Sequence, residues 1–147
     1  MKVIDSRTVE KSQLILVVED VYETRAGIDT LLKANGYRVA LTSADEEAIN
    51  STRPERPDLI LVSGSALPDN VLVKVDRIRK EASVGVEIPV VVFCAHDIPE
   101  GEEVAIGGNV YLTNPDNFNQ LRSLVARLLP EVSLPTNEEQ TLEFYDK

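Results

Sequence analysis

Four short, almost unbroken apolar runs constrain the fold of this chain more than any other feature: Leu14–Val18 (LILVV), Asp58–Val62 (DLILV), Pro89–Phe93 (PVVVF) and Val110–Leu112 (VYL). Each is too short for a helix. Continuous apolar character without alternation is what strands buried on both faces require. A fifth run, Tyr37–Leu41 (YRVAL), alternates more and suits a strand nearer an edge.

Helical patterns with readable ends separate these runs. Over Val21–Asn35, Ile28, Leu31 and Leu32 share a face, and Gly36 supplies a left-handed position beyond the last turn. Ser43–Ala44–Asp45–Glu46 reads as a capping box opening a short helix to about Thr52, which Pro54 and Pro57 stop before the next strand. A third helix is expected over Asp69–Lys80. A last one is expected over Asn117–Leu129, where Phe118, Leu121, Leu124, Val125 and Leu128 recur at helical spacing. His96–Ile106 contains Pro99 and Gly101, so the helix expected there is stunted, two turns at most. The alternation of strand and helix predicts a parallel sheet covered on both faces, a doubly wound α/β domain.

A chain of 147 residues suits one domain with a sizeable core. We place it at residues 13–129, with a leader at 1–12 and an acidic tail at 130–147 in which Leu142, Phe144 and Tyr145 are available to dock. The formal net charge of −10 argues against nucleic acid or an anionic membrane as partner, because both would be repelled. Cys94 is the only cysteine, so no internal disulfide forms. No apolar segment resembles a signal peptide or a membrane span, and a cytoplasmic location is expected.

Open parallel sheets place their sites at the carboxyl ends of the strands. That rule nominates Glu19 and Asp20 after the first strand, Ser63 after the third, Cys94, Ala95 and His96 after the fourth, and Thr113, Asn114 and Pro115 after the fifth.

At these positions the chain resembles the receiver domains of two-component response regulators, the CheY-like superfamily. LVVEDVYETRAGIDTLLKANGYRV resembles the opening of such a domain, with an acidic pair ending the first strand. PDLILVSGSALPD is similar to the third strand and its loop, IPVVVFCAHD to the fourth strand, and GNVYLTNPDNFNQLRSLVARLL to the fifth strand and final helix. The likeness runs from about Gln13 to Leu129. It implies a flavodoxin-like three-layer αβα sandwich on a five-stranded parallel sheet of order 2-1-3-4-5, with a shortened fourth helix.

Receivers use the acidic pair and an acceptor aspartate to hold magnesium, which neutralises a phosphoryl group arriving on that aspartate. A Ser or Thr ending the fourth strand and a Lys ending the fifth contact the phosphoryl oxygens. Here the acceptor position is Ser63, which cannot form an acyl phosphate. The hydroxyl position is Cys94, and the lysine position is Asn114. Only Glu19 and Asp20 remain, so the site is degenerate and any magnesium binding is expected to be weak. Tyr111 stands at the family's switch aromatic, and Asn114–Pro115 replaces a Lys-Pro step that is commonly cis, so a cis bond is expected there.

Each position also has a structural reading. Glu19 and Asp20 favour the start of the following helix. Ser63 is a small polar filler, His96 a solvated loop residue, and Cys94 a small core residue without a resolving partner. The expected function is therefore a pseudo-receiver in phosphorelay signalling, not an enzyme. It acts as a phosphorylation-independent module that contacts a partner protein, such as a histidine kinase or output protein, or a second copy. The face expected to serve is that of the fourth helix, fifth strand and fifth helix, including Tyr111. The alternatives are a phosphorelay receiver with an unconventional switch and a sensor binding a small ligand in the crevice. A remote third is a serine hydrolase built on Ser63, His96 and Asp20, which Ser63–Gly64–Ser65 does not support as a nucleophile elbow.

Overall fold

The computed structural model describes residues 13–43, 56–64, 71–95 and 98–129. The capping box opening at Ser43, the end of the PDLILVSGSALPD segment, His96 and the tail therefore lie wholly or partly outside the described residues. Within them the chain forms β1 (Leu14–Val18), α1 (Tyr22–Ala34), β2 (Arg38–Thr42), β3 (Leu59–Ser63), α2 (Val71–Glu81), β4 (Val90–Phe93), β5 (Glu103–Gly107), β6 (Val110–Thr113) and α3 (Phe118–Leu128).

One sheet runs β2-β1-β3-β4-β6-β5. Its first five strands are parallel neighbours, as the flavodoxin-like order requires, and β1, β3 and β4 are buried along their whole length. Their side chains alternate between two cores. Ile15, Val17, Leu59, Leu61, Val91 and Phe93 pack with Ile28 and Leu32 of α1 and Leu121, Leu124 and Val125 of α3. Leu16, Val18, Ile60, Val62, Val90 and Val92 pack with Val75 and Ile78 of α2. Burying each such Val, Leu or Ile contributes about 1.5–3 kcal/mol. Two-sided burial is the reason the apolar runs are unbroken.

The ends of the helices follow local chemistry. Gly36 ends α1 at φ +91°, and Tyr37 N–H donates to the Leu32 carbonyl at 3.2 Å. Asn117 opens α3, its Oδ1 accepting from Gln120 N–H at 3.1 Å.

The segment before the last parallel strand departs from expectation. In place of a stunted helix, Glu103–Gly107 forms a sixth strand, antiparallel to β6. Pro99 and Gly101 disfavour a helix, whereas Val104 and Ile106 are β-branched. The reversal at Gly108 and Asn109 has φ of +64° and +63°, the two positive values that a tight type I′ hairpin demands. The Gly107–Gly108–Asn109 sequence was the available signal, and a short helix was the wrong reading of it.

At the amino end of the sheet, Arg79 holds two strand entries together. It is 4% exposed, and its Nη2 donates to the Ile88 carbonyl at 2.8 Å and the Asn109 carbonyl at 3.3 Å. Burial lowers its pKa, with Asp76 and Glu87 opposing that shift.

Candidate functional site: the crevice at the strand ends

Because β1, β3, β4 and β6 run parallel, their carboxyl ends open on one rim. Val18 pairs with Val62, so Glu19 and Ser63 sit level one step further on. Ser63 in turn pairs with Phe93, immediately before Cys94. Three of the nominated residues, Glu19, Ser63 and Cys94, thus stand at consecutive strand ends.

Glu19 is 2% exposed. Its N–H donates to the Thr42 carbonyl at 2.9 Å, and its Oε2 accepts from Val21 N–H at 3.0 Å. Its carbonyl accepts from Arg25 Nη1 at 3.2 Å. Val21 opens α1 without a side-chain cap of its own, so the Glu19 carboxylate takes that role at the positive end of the helix. Asp20 is exposed.

Ser63 is buried, 2% exposed, at the end of β3. The following Gly64 lies against the turn after β4: a Cβ added there would fall 2.5 Å from the Cys94 carbonyl oxygen. Only glycine fits that approach. The backbones leaving β3 and β4 therefore meet closely just beyond Ser63.

Cys94 is not the core residue anticipated. It is exposed and adopts φ +57°, a left-handed conformation uncommon outside glycine, so the chain leaves the sheet at once. Partial desolvation of the sulfur, and then the nearby Glu19 charge, push the thiol pKa up. A thiol of this kind is a poor nucleophile at neutral pH.

Asn114 faces the hairpin. Its Nδ2 donates to the Ile98 carbonyl at 3.1 Å, its N–H to the Glu102 carbonyl at 3.2 Å, and its carbonyl accepts from Gly101 N–H at 2.6 Å. Thr113 adds a bond from Oγ1 to the Glu102 carbonyl at 2.9 Å. The residue at the lysine position therefore fixes the turn that feeds β5. The Asn114–Pro115 peptide is trans, since no described peptide bond is cis; the expectation of a cis bond is overturned.

Tyr111 packs half-buried against the α1–α3 core, and its hydroxyl donates to Asn109 Oδ1 at 3.0 Å. Asn109 is itself tied through Nδ2 to the Val86 and Glu87 carbonyls at 3.1 and 3.3 Å. The ring is anchored toward the amino end of the sheet, away from the crevice. Sequence reasoning nominated Tyr111 but missed Gly64, Arg79 and Asn109, whose roles depend on contacts between distant segments.

The donor set does not fit the three-carboxylate magnesium site that the resemblance implies. Magnesium favours carboxylate oxygens in near-octahedral geometry. Glu19 commits one oxygen to Val21, Ser63 brings a hydroxyl, and among the described residues no three His, Cys, Asp or Glu side chains gather.

No protein-family model matches the chain. Among curated proteins it is similar to the response regulator MprA of Mycolicibacterium vanbaalenii, 30% identical over 127 residues covering 80% of this chain and 52% of that protein. MprA of Mycobacterium avium is 31% identical over 127 residues, covering 80% and 53%. The chain spans about half the length of the curated relatives it matches. Among solved structures it is similar to the receiver domain of the sensor histidine kinase PA1611 from Pseudomonas aeruginosa, described with a magnesium ion in its active-site cleft. That likeness has TM-score 0.57 and 25% identity, and covers 80% of this chain and 98% of that one. The chemotaxis response regulator CheY4 of Vibrio cholerae matches in fold with TM-score 0.58 and 19% identity, covering 81% and 100%. The homologues and structural neighbours of this chain are thus response-regulator receiver domains, and its fold is the CheY-like, flavodoxin-like one. No helix among the described residues is long and apolar enough to cross a membrane.

Proposed function

We propose that this chain is a receiver domain of two-component signalling that has lost aspartyl phosphorylation and works as a protein–protein interaction module. The observation that carries the reading is a buried Ser63 at the end of β3, with Asn114 at the end of β6 committed to the hairpin turn. An acceptor there needs a carboxylate, room for a phosphoryl group and a cation to meet it. Ser63 supplies no carboxylate, and Asn114, where a receiver would carry its lysine, bonds the hairpin turn instead of the crevice.

The switch residue supports the same reading. A receiver transmits by moving an aromatic ring between two states, and Tyr111 is held in one by Asn109. Its surroundings form a fixed surface, and a fixed surface signals by being bound. The partner is a protein such as a histidine kinase or an output protein, docking at the hairpin and α3. No cofactor is assigned, and any magnesium held by Glu19 and Asp20 is weak. No enzymatic step is assigned, and the reading puts the domain in the cytoplasm.

Intact-mass spectrometry after incubation with acetyl phosphate and magnesium tests this. The chain should remain unmodified under conditions that label a receiver with an intact acceptor. A stoichiometric phosphoryl adduct would defeat the reading.

A further inference from the structure

The hairpin leaves β5 as the last strand of the sheet, and no described strand pairs with its outer edge. The direction of its backbone groups follows from its neighbours. The Thr113 carbonyl accepts from Ala95 N–H on the β4 side, whereas Asn114 N–H donates toward β5, to Glu102. Thr113 and Tyr111 therefore turn their main-chain groups toward β4, and their partners Glu103 and Ala105 form the non-bonded pairs of the antiparallel ladder. The N–H and C=O groups of Glu103 and Ala105 point outward. Between them Val104 exposes 42% of its surface. The strand, EVAIG, contains neither lysine nor proline, two residues that commonly blunt such an edge.

We propose that this edge pairs with the same edge of a second copy, antiparallel about a two-fold axis at Val104. The inference deepens the preceding reading, from which it takes only the hairpin as the interacting surface. In this register Glu103 of each copy faces Ala105 of the other, and all the outward groups of both residues are bonded. Val104 meets its own counterpart across the axis in a close non-bonded pair, which covers its exposed side chain. The two Glu103 carboxylates come near each other diagonally, and each already carries a counter-ion, Arg127 Nη2 at 2.6 Å. An isologous pairing of this kind closes as a dimer and does not propagate.

Sedimentation velocity over a concentration series, with backbone amide exchange followed by NMR, tests the proposal on the full chain. A rising dimer fraction is expected, with the Glu103 and Ala105 amides becoming protected in step with it. Ala105→Pro removes an outward N–H that β6 does not use, so the fold should persist while association falls at least about tenfold. Val104→Lys, which sets two cations face to face on the axis, should do the same. Three results would overturn the proposal: a monomer throughout the series, a dimer indifferent to both substitutions, or amides already protected in the dilute monomer. The last would mean that another segment of the same chain covers the edge. None of these outcomes depends on whether the crevice accepts a phosphoryl group, which the mass measurement addresses separately.

Discussion

Gly64 and the Cys94 carbonyl oxygen approach so closely that a β-carbon on residue 64 would lie 2.5 Å from that oxygen. The obstacle is backbone, which cannot swing aside as a flexible side chain would. Gly64→Ala should therefore destabilise the fold by about 1–3 kcal/mol, the usual cost of forcing atoms into a packed site. Urea denaturation measures this. A variant as stable as the parent would show that the backbones leaving β3 and β4 can part there.

The Cys94 thiol gives a pH signature. Desolvation and the Glu19 charge both favour the protonated form, so alkylation by iodoacetamide should be slow at neutral pH. It should rise through a midpoint above the ordinary value of 9.0. Glu19→Gln keeps an oxygen for Val21 N–H and removes the charge, so the midpoint should move down. Because desolvation is the larger cause, the midpoint should stay above the ordinary value in the variant too. A midpoint unmoved by Glu19→Gln would mean that the two groups do not interact.

Asn114→Lys restores the residue type that receivers use and should restore no switching. It deletes the bond from Nδ2 to the Ile98 carbonyl, a loss of about 0.5–1.5 kcal/mol. Faster amide exchange across Glu102–Gly107 should accompany that loss. A variant with unchanged hairpin protection would show that the turn stands without Asn114.

Arg79→Met keeps much of the apolar stem and removes the guanidinium that bonds the Ile88 and Asn109 carbonyls. Hydrogen bonds from a charged donor contribute about 1.5–3 kcal/mol, and thermal unfolding should register a loss of that order. The loss should appear as greater mobility of Asn109 and, through it, of the Tyr111 ring. A stable variant with an unaltered Tyr111 environment would free the ring from this network.

The parallel part of the fold was legible because two-sided burial leaves an unmistakable mark: LILVV and PVVVF have no polar face to show. The hairpin was not read, because eleven residues before Gly107 carry too little periodicity, and the rhythm of strand and helix suggested a helix by default. Gly107–Gly108–Asn109 carries the turn chemistry of a tight hairpin, the one local signal for the reversal. At the site, the proposed degeneracy at Ser63, Cys94 and Asn114 rests on residue type alone. The contacts made there were not legible: the Gly64–Cys94 approach, the Glu19 cap and the Tyr111 anchor each depend on where another segment ends. Cys94 shows the limit best, since a thiol after a buried strand reads as core until the φ of +57° turns it outward.

The central claim is that the crevice no longer takes a phosphoryl group and that Tyr111 no longer responds to one. The most direct measurement is a 15N–1H NMR titration with beryllofluoride and magnesium, which together mimic the phosphorylated state of a receiver. The spectrum should stay unchanged, Tyr111 included. Shifts clustered at Glu19, Ser63 and Asn114 and spreading to Tyr111 would contradict the account, because they would show a working switch behind an altered acceptor.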